Sequence, residues 1–411
     1  MIMKHLYITN DYETSSGNGI STYIRQLIAC LSGADITIGM LVFNSEKDVF
    51  DIEEIEEIDG IRHFHLPPFQ TKSIQDHSRI IDKFLRLYIP DSPDNIFLIN
   101  YSPCSLLMKM IRTSHPLSKQ IYVIHDMAWT LHLFGDVDRY IRILKQKDRK
   151  YVVERYAYLL ETYREEVEMC RYADRVVCLS EDTYRLLETS YFVGRDKLRL
   201  IPNALFERTV LWSEKQKMVF RKEMMLPDDE KILLYVGRMT EQKGFMVCLE
   251  AFKEIVKVYP MCRLAVVGST GNWDFVRKSC YPVLSKIHFT GALSPEEVDK
   301  WYQIVDIGLL PSYTEQCSYV GLEMIAHRLP VVASDGFGVR CMFQKQEYVR
   351  VAHIGNVNQA DSFKDELVMA TLSLLHSLDE RGKENIDVTC QYKNSLMDKV
   401  KNLYLMLFEV I

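Results

Sequence analysis

Two carboxylates separated by seven residues, Glu315 and Glu323, enclose the segment Gln-Cys-Ser-Tyr-Val-Gly-Leu, and residues of these types at this spacing suit the binding of an anion. Ser318 is a helix-capping residue type, so the segment predicts a helix starting at Tyr319. The first amides of a helix have no acceptor within it, and its dipole adds positive potential at the same end. Ser318, Tyr319 and Val320 are therefore the candidates to hold a phosphate. At a rise of about 1.5 Å per residue, Glu323 falls roughly 7–8 Å along that helix, with Glu315 in the loop before it. The chain carries 56 acidic residues, most of which serve solubility, so the pair gains meaning only from a second element. That element is Gly237-Arg238-Met-Thr-Glu-Gln-Lys243-Gly244, which follows the apolar run at 231–236. A loop bounded by glycines lets the backbone approach a ligand, while Arg238 and Lys243 supply positive charge suited to a diphosphate.

The elements that must position these residues are strands alternating with helices. Apolar, β-rich runs at 5–9, 36–43, 61–66, 95–99, 120–124, 175–179 and 197–201 predict one parallel sheet. Runs at 232–236, 263–267, 286–289, 305–310 and 330–333 predict a second. Two Rossmann-like domains follow, joined just after Asn203, where Pro202 and Asn203 punctuate a turn. A charged helix is expected at 213–225. Open sheets of this kind place ligands at the carboxyl ends of their strands, where both anion-binding elements lie.

In the first half, strand 5–9 leads to Gly17-Asn18-Gly19 ahead of a helix with Leu27, Ile28 and Leu31 on its apolar stripe. Gly19 there either makes a tight turn or admits a ligand, and the full dinucleotide-binding glycine pattern is missing. His125 and Asp126 end the run 120–124; a single histidine after a strand is most often structural. Residues 138–171 read as one long helical pattern, basic in its first half (Arg139, Arg142, Lys145, Lys147, Arg149, Lys150, Arg155) and acidic from Glu161 onward. That segment is either a solvated face or an acceptor- or membrane-facing element. Residues 51–59 read as a solvated edge or helix.

A chain of 411 residues with 47% apolar and 26% charged residues is sized for two globular domains. Its net charge of −6 argues against nucleic acid as a partner. The ten cysteines include no C-x2-C pair or zinc-ligand spacing, so they read as reduced thiols and no metal site is expected. With no secretory leader or membrane span in the sequence, the expectation is a cytoplasmic protein, open to peripheral contact at the inner face of the membrane.

Taken together these residues resemble the retaining glycosyltransferases of the GT-B fold, specifically the large family four, also called glycosyl transferases group 1. The likeness covers most of the chain. It rests on the E-x7-E element Glu315/Glu323, the G-R-x4-K-G loop with Arg238 and Lys243, the glycine turn Asn18-Gly19 and the Pro202-Asn203 interdomain turn, in family order. Three departures stand out. Asn18 replaces a glycine, and Gln316-Cys317-Ser318 replaces the family's commoner small-aromatic-glycine segment. Arg328 stands where the family has a glycine after the E-x7-E helix, so a cap built differently from the left-handed kind is expected.

The resemblance implies an N-terminal acceptor-side domain at 1–205, a C-terminal donor-side domain at 206–385, and a last helix within 386–411 that returns to the first domain, the two domains facing across a cleft. It implies sugar transfer from a nucleotide diphosphate sugar, UDP- or GDP-linked, to a hydroxyl of a glycan, lipid-linked or peptide acceptor, without a metal or other cofactor. Glu315 would hold sugar hydroxyls and Glu323 the ribose. Arg238, Lys243 and the amides after Ser318 would hold the diphosphate, while His125 and Gly19 would reach the donor. Two alternatives stay open on this fold. One is a nucleotide-sugar epimerase or phosphorylase; the other is a catalytically idle scaffold.

Overall fold

The computed structural model describes residues 3–11, 19–43, 55–66, 74–100, 105–207, 209–343, 348–355, 360–381 and 391–411. The fold is α/β with two sheets. The first contains β1 (Lys4–Asp11), β2 (Ile36–Phe43), β3 (Ile55–Ile58), β4 (Ile61–His65), β5 (Asn95–Ile99), β6 (Lys119–Ile124), β7 (Arg175–Cys178) and β8 (Leu198–Leu200). Their order is β3-β4-β2-β1-β5-β6-β7-β8, parallel except for the β3–β4 pair. The second contains β9 (Lys231–Val236), β10 (Cys262–Val267), β11 (Ile287–Gly291), β12 (Ile307–Leu310), β13 (Val331–Ser334) and β14 (Val349–Ala352). It is wholly parallel in the order β11-β10-β9-β12-β13-β14.

The chain divides into two compact units. Unit 1 comprises Met1–Trp129, Asp138–Phe206 and Leu396–Ile411, and unit 2 comprises Thr130–Val137 and Glu207–Ser395. The strands form because runs such as β5, buried at all five positions, have apolar side chains for both covered faces of a parallel sheet. In unit 2 the sheet packs against the helices Phe245–Val258 and Ala360–Arg381, with Leu249, Phe252, Phe363 and Leu375 fully enclosed. Each such side chain contributes about 1.5–3 kcal/mol by leaving water. The expected charged helix is Glu214–Glu223, entered through a reciprocal Ser213/Gln216 cap. No helix among the described residues is long and apolar enough to cross a membrane. Burial pushes the thiols of Cys30, Cys170, Cys248 and Cys262 up to about 12, which keeps them protonated.

Several expectations change. The pattern at 138–171 is three helices, Val137–Leu144, Lys150–Arg155 and Ala157–Tyr172. Residues 145–149, Lys-Gln-Lys-Asp-Arg, offer nothing apolar to bury, so packing does not sustain a helix through them. Of 51–59, residues 55–58 are the edge strand β3 rather than a helix, since pairing with β4 satisfies their backbone groups; 51–54 lie outside the described residues, as do 14–18 of the glycine turn. β14 had no counterpart in the sequence reading.

Candidate functional site

In unit 2, the loop after β9 is shaped by contacts that exclude side chains. Gly237 has φ 146° and Gly268, after β10, has φ 143°; a Cβ on Gly268 would lie 2.0 Å from the Gly237 carbonyl oxygen. Tyr235 is buried beneath the loop, and its hydroxyl donates to the Arg238 carbonyl at 2.8 Å. The Arg238 side chain is left exposed. At the far end Gly244, φ 67°, caps the helix Phe245–Val258, and a Cβ there would stand 2.0 Å from the Pro311 carbonyl oxygen. The Tyr313 amide donates to the Gln242 carbonyl at 2.9 Å. The loops leaving β9 and β12 are thereby stitched together, which places Lys243 beside Glu315.

The Lys243 ammonium donates to Glu315 Oε1 at 2.7 Å, and Ser312 Oγ donates to the same oxygen at 2.8 Å. The Glu315 side chain keeps only 12% of its exposure and that of Lys243 keeps 30%, so the pair is partly shielded from water and stronger than a surface bridge. The Glu315 amide donates to the Phe337 carbonyl at 2.9 Å, and Gly338, φ 76°, passes so near that a Cβ would meet the Glu315 carbonyl oxygen at 1.8 Å.

Beyond this loop the helix Tyr319–Ala326 starts as the spacing predicts. Ser318 Oγ accepts from the Gly321 amide at 3.4 Å, the Ser318 amide donates to Met342 Sδ, and the first turn, which includes Tyr319 and Val320, contains no acid. Its N-terminal end therefore presents a positive potential undiminished by a neighbouring carboxylate on that turn. Glu323 accepts at Oε2 from the Tyr302 hydroxyl at 2.8 Å. Burial and the adjacent Glu323 charge hold that hydroxyl well above its usual range, so it remains a donor. His327 ties the same turn down, with Nδ1 to the Glu323 carbonyl oxygen at 2.8 Å and Nε2 to Asp299 Oδ1 at 2.7 Å.

The end of this helix overturns the expectation about its cap. Arg328 itself takes the left-handed conformation, φ 57°. The Arg328 amide donates to the Ile325 carbonyl and the Leu329 amide to the Met324 carbonyl, both at 3.0 Å, which is the paired bonding of a glycine-type cap. Because the helix leads at once into buried Leu329 and β13, the backbone geometry prevails over the residue's preference.

In unit 1, His125 follows β6 and Asn100 follows the neighbouring strand β5. His125 Nε2 donates to Asn100 Oδ1, and the Asn100 backbone N–H donates in turn to Thr9 Oγ1 at 2.9 Å. The imidazole also meets the Tyr23 ring edge-on at 4.5 Å, and the Tyr23 hydroxyl bonds that of Tyr404 at 2.7 Å. Burial lowers the His125 pKa to about 3, so the ring is neutral, and with Nε2 donating, Nδ1 is an acceptor. Asp126 caps the turn, its Oδ1 accepting from the Met127 amide at 2.8 Å. Gly19 opens the helix Gly19–Leu31 and is exposed, with nothing within 4 Å of a Cβ placed there.

The structure thus brings Lys243, Ser312 and Glu315 into contact, sets Ser318, Tyr319, Val320 and Glu323 on one helix start, and carries Arg238 on the adjoining loop; His125 and Gly19 belong to unit 1. Sequence reasoning missed Ser312, Tyr302 and Asn100. Asn100, a polar residue one step past a buried strand, carried the clearest signal.

Two family models match the chain: Glycosyltransferase Family 4 over residues 17–205 and Glycosyl transferases group 1 over residues 216–383. An uncharacterized glycosyltransferase of Methanocaldococcus jannaschii is 31% identical over 186 residues, 44% of this chain and 45% of that protein. The matched stretches span less than half the length of the curated relatives. Among solved structures, a sucrose-phosphate synthase from Thermosynechococcus elongatus superposes with a TM-score of 0.70 at 18% identity, covering 99% of this chain and 100% of the other. Anabaena HepE, in complex with UDP and glucose, superposes with a TM-score of 0.66 at 13% identity, covering 99% and 100%.

Proposed function

Since the chain belongs to the group 1 glycosyltransferases, we propose that it moves a sugar from a nucleotide diphosphate sugar to an acceptor hydroxyl, retaining the anomeric configuration and needing no metal ion. The observation that carries this reading is the Lys243–Glu315 contact at 2.7 Å beside the Ser318-capped helix: one charge for the leaving diphosphate, one for the sugar, and a helix start between the two carboxylates.

Breaking the bond between sugar and diphosphate is the demanding step, because negative charge develops on the leaving oxygens. Arg238, Lys243 and the amides at the start of helix Tyr319–Ala326 offset that charge from fixed positions, which is the work a metal ion does elsewhere. Glu315 accepts hydrogen bonds from sugar hydroxyls, and its bond from Ser312 keeps it in place when Lys243 turns to the phosphate. Glu323, oriented by Tyr302, accepts from the ribose. From unit 1, the neutral His125 accepts a sugar hydroxyl at Nδ1, and Gly19 offers bare backbone to the donor. The departing phosphate takes the acceptor proton, so no separate base is required.

HepE binds UDP and glucose, which supports a uridine-linked donor. The acceptor is a glycan, lipid-linked or peptide hydroxyl. We place the protein in the cytoplasm, with its basic segment around Lys145–Lys150 available to the inner face of the membrane.

The test is thermal stabilisation by UDP, GDP and ADP, with and without chelator, for the wild type and Lys243→Ala. A nucleotide at about 100 times its dissociation constant adds roughly 2.7 kcal/mol. One nucleotide is expected to stabilise regardless of chelator, and Lys243→Ala to remove the effect. Absence of binding at millimolar concentration would favour an idle scaffold, and a new sugar isomer formed without acceptor would favour an epimerase.

A further inference from the structure

The helix Ala157–Tyr172 carries two consecutive glutamates that reach the starts of two other helices in unit 1. Glu165 accepts from the Ser105 amide at 2.5 Å and from Ser105 Oγ at 2.9 Å, at the first residue of the helix Ser105–Ser114. Glu166 accepts at Oε1 from the Ala128 amide at 3.2 Å, at the first residue of the helix Ala128–Leu133. Ala128 is three residues after His125, so this second contact holds the end of the turn that carries the imidazole. Glu166 Oε2 meets the Tyr191 hydroxyl, which bonds the Tyr140 hydroxyl at 2.8 Å. The Tyr140 ring stacks on Trp129 at 4.6 Å, planes 8° apart. The turn is therefore gripped at two successive residues, Ala128 through its amide and Trp129 through its ring.

We propose that Glu166 is a positioning residue for His125, holding residues 125–128 from beneath through Ala128 and the Tyr191–Tyr140–Trp129 chain. The inference rests on the transferase reading in giving His125 a task, and goes beyond it in naming what sets the imidazole's place.

A glutamine would make the same bonds, so the carboxyl needs its own account. The titratable groups facing Glu166 are Asp126 on the turn, Tyr122 on β6, Tyr191, Tyr140 on the helix Val137–Leu144, and Cys170 one turn along its own helix; none of these brings a positive charge. Burial first, and the Asp126 charge last, raise the Glu166 pKa to about 7 against the opposing bonds from Tyr191 and Ala128. The hydroxyl chain serves both protonation states. As a carboxylate, Glu166 accepts from Tyr191, which accepts from Tyr140; as an acid it donates to Tyr191, which donates to Tyr140. What changes is the charge facing Asp126, next to His125. Ionisation sets two carboxylates against each other across the turn and shifts it.

The test is NMR of the full chain between pH 6 and pH 8.5, following the His125 ring nitrogens, assigned with His125→Gln, and the Ala128 amide. Both are expected to move with one midpoint near 7 in the wild type and to stay still in Glu166→Gln. In parallel, nucleotide release from UDP-, GDP- or ADP-glucose is expected to fall at least fivefold in kcat across that range for the wild type with KM unchanged. Glu166→Gln should stay within twofold of its pH 6 value, and Glu166→Ala should lose at least tenfold in kcat at every pH. Signals from His125 and Ala128 that ignore both pH and Glu166→Gln would overturn the proposal. So would a Glu166→Ala variant that melts earlier yet keeps its kcat. If no donor is turned over, the transferase reading fails alone, and the NMR titration still decides whether Glu166 governs the turn.

Discussion

In unit 2 the carbonyl oxygens of Gly237, Pro311 and Glu315 lie where a Cβ of Gly268, Gly244 or Gly338 would stand, at 2.0, 2.0 and 1.8 Å. In unit 1 the fixing around His125 is done by side chains: Asn100, Tyr23 and Glu166, drawn from three other elements. The two constructions suit different tasks. Bare backbone brought close together gives a rigid floor for a strongly charged group, with Lys243 and Glu315 neutralising each other while they wait. A network of neutral and protonatable side chains holds an imidazole uncharged, and its grip depends on solution conditions.

A single methyl group added to a glycine of each unit separates the two. Gly244→Ala places a Cβ into the Pro311 carbonyl in a left-handed backbone, and should cost roughly 3–5 kcal/mol and abolish nucleotide-dependent stabilisation. Gly19→Ala meets nothing within 4 Å and should change stability by less than about 0.5 kcal/mol. Denaturant unfolding of the two variants measures the difference; similar costs would mean that unit 2 does not depend on bare backbone.

Acidity acts on the network of unit 1. Glu166 has its folded pKa raised from 4.5 to about 7, so its contribution is complete below pH 4.5 and is lost as the pH rises through 7. His125 has its folded pKa lowered from 6.5 to about 3, so its contribution is complete above pH 6.5 and is lost as the pH falls toward 3. The advantage of Glu166→Gln over the wild type should therefore grow between pH 4.5 and pH 7 and level off above that. His125→Gln should lose less stability than the wild type between pH 6.5 and pH 4. Each effect is on the order of 1–3 kcal/mol, read from melting curves at the stated pH values.

The smallest effect concerns a residue in unit 2 that departs from the glycine rule. Arg328→Gly relieves a left-handed arginine and should stabilise by about 0.5–1 kcal/mol, after the entropy cost of glycine is subtracted. A loss of stability on this change would show that the arginine side chain holds the cap.

The same contrast explains what could be read from the residues in order. β2 and β5 fall where their apolar runs predicted, and Ser318 caps the helix that its type and spacing announced. Family and fold class were equally legible, since glycines, lysine and glutamates at fixed spacing encode backbone geometry locally. The surroundings of His125 were not legible. Asn100 and Glu166 are 25 and 38 residues from their partners, and no local spacing joins them. The break at 145–149 went unseen because helix-favouring lysines and arginines mask a gap in apolar periodicity. Arg328 misled in the opposite direction, because its type says nothing of a backbone imposed by the strand that follows.

The bond between Tyr23 and Tyr404 has a consequence for biosynthesis. Tyr404 lies on the helix Gln391–Val410, and residues Leu396–Ile411 belong to unit 1 although all of unit 2 is translated before them. A ribosome moving from the amino end makes β1 to β8 first and supplies the helix carrying Tyr404 only after unit 2. Unit 2 can close while still tethered to the ribosome, whereas the ring that leans on His125 waits for its hydroxyl partner until all of unit 2 has been made.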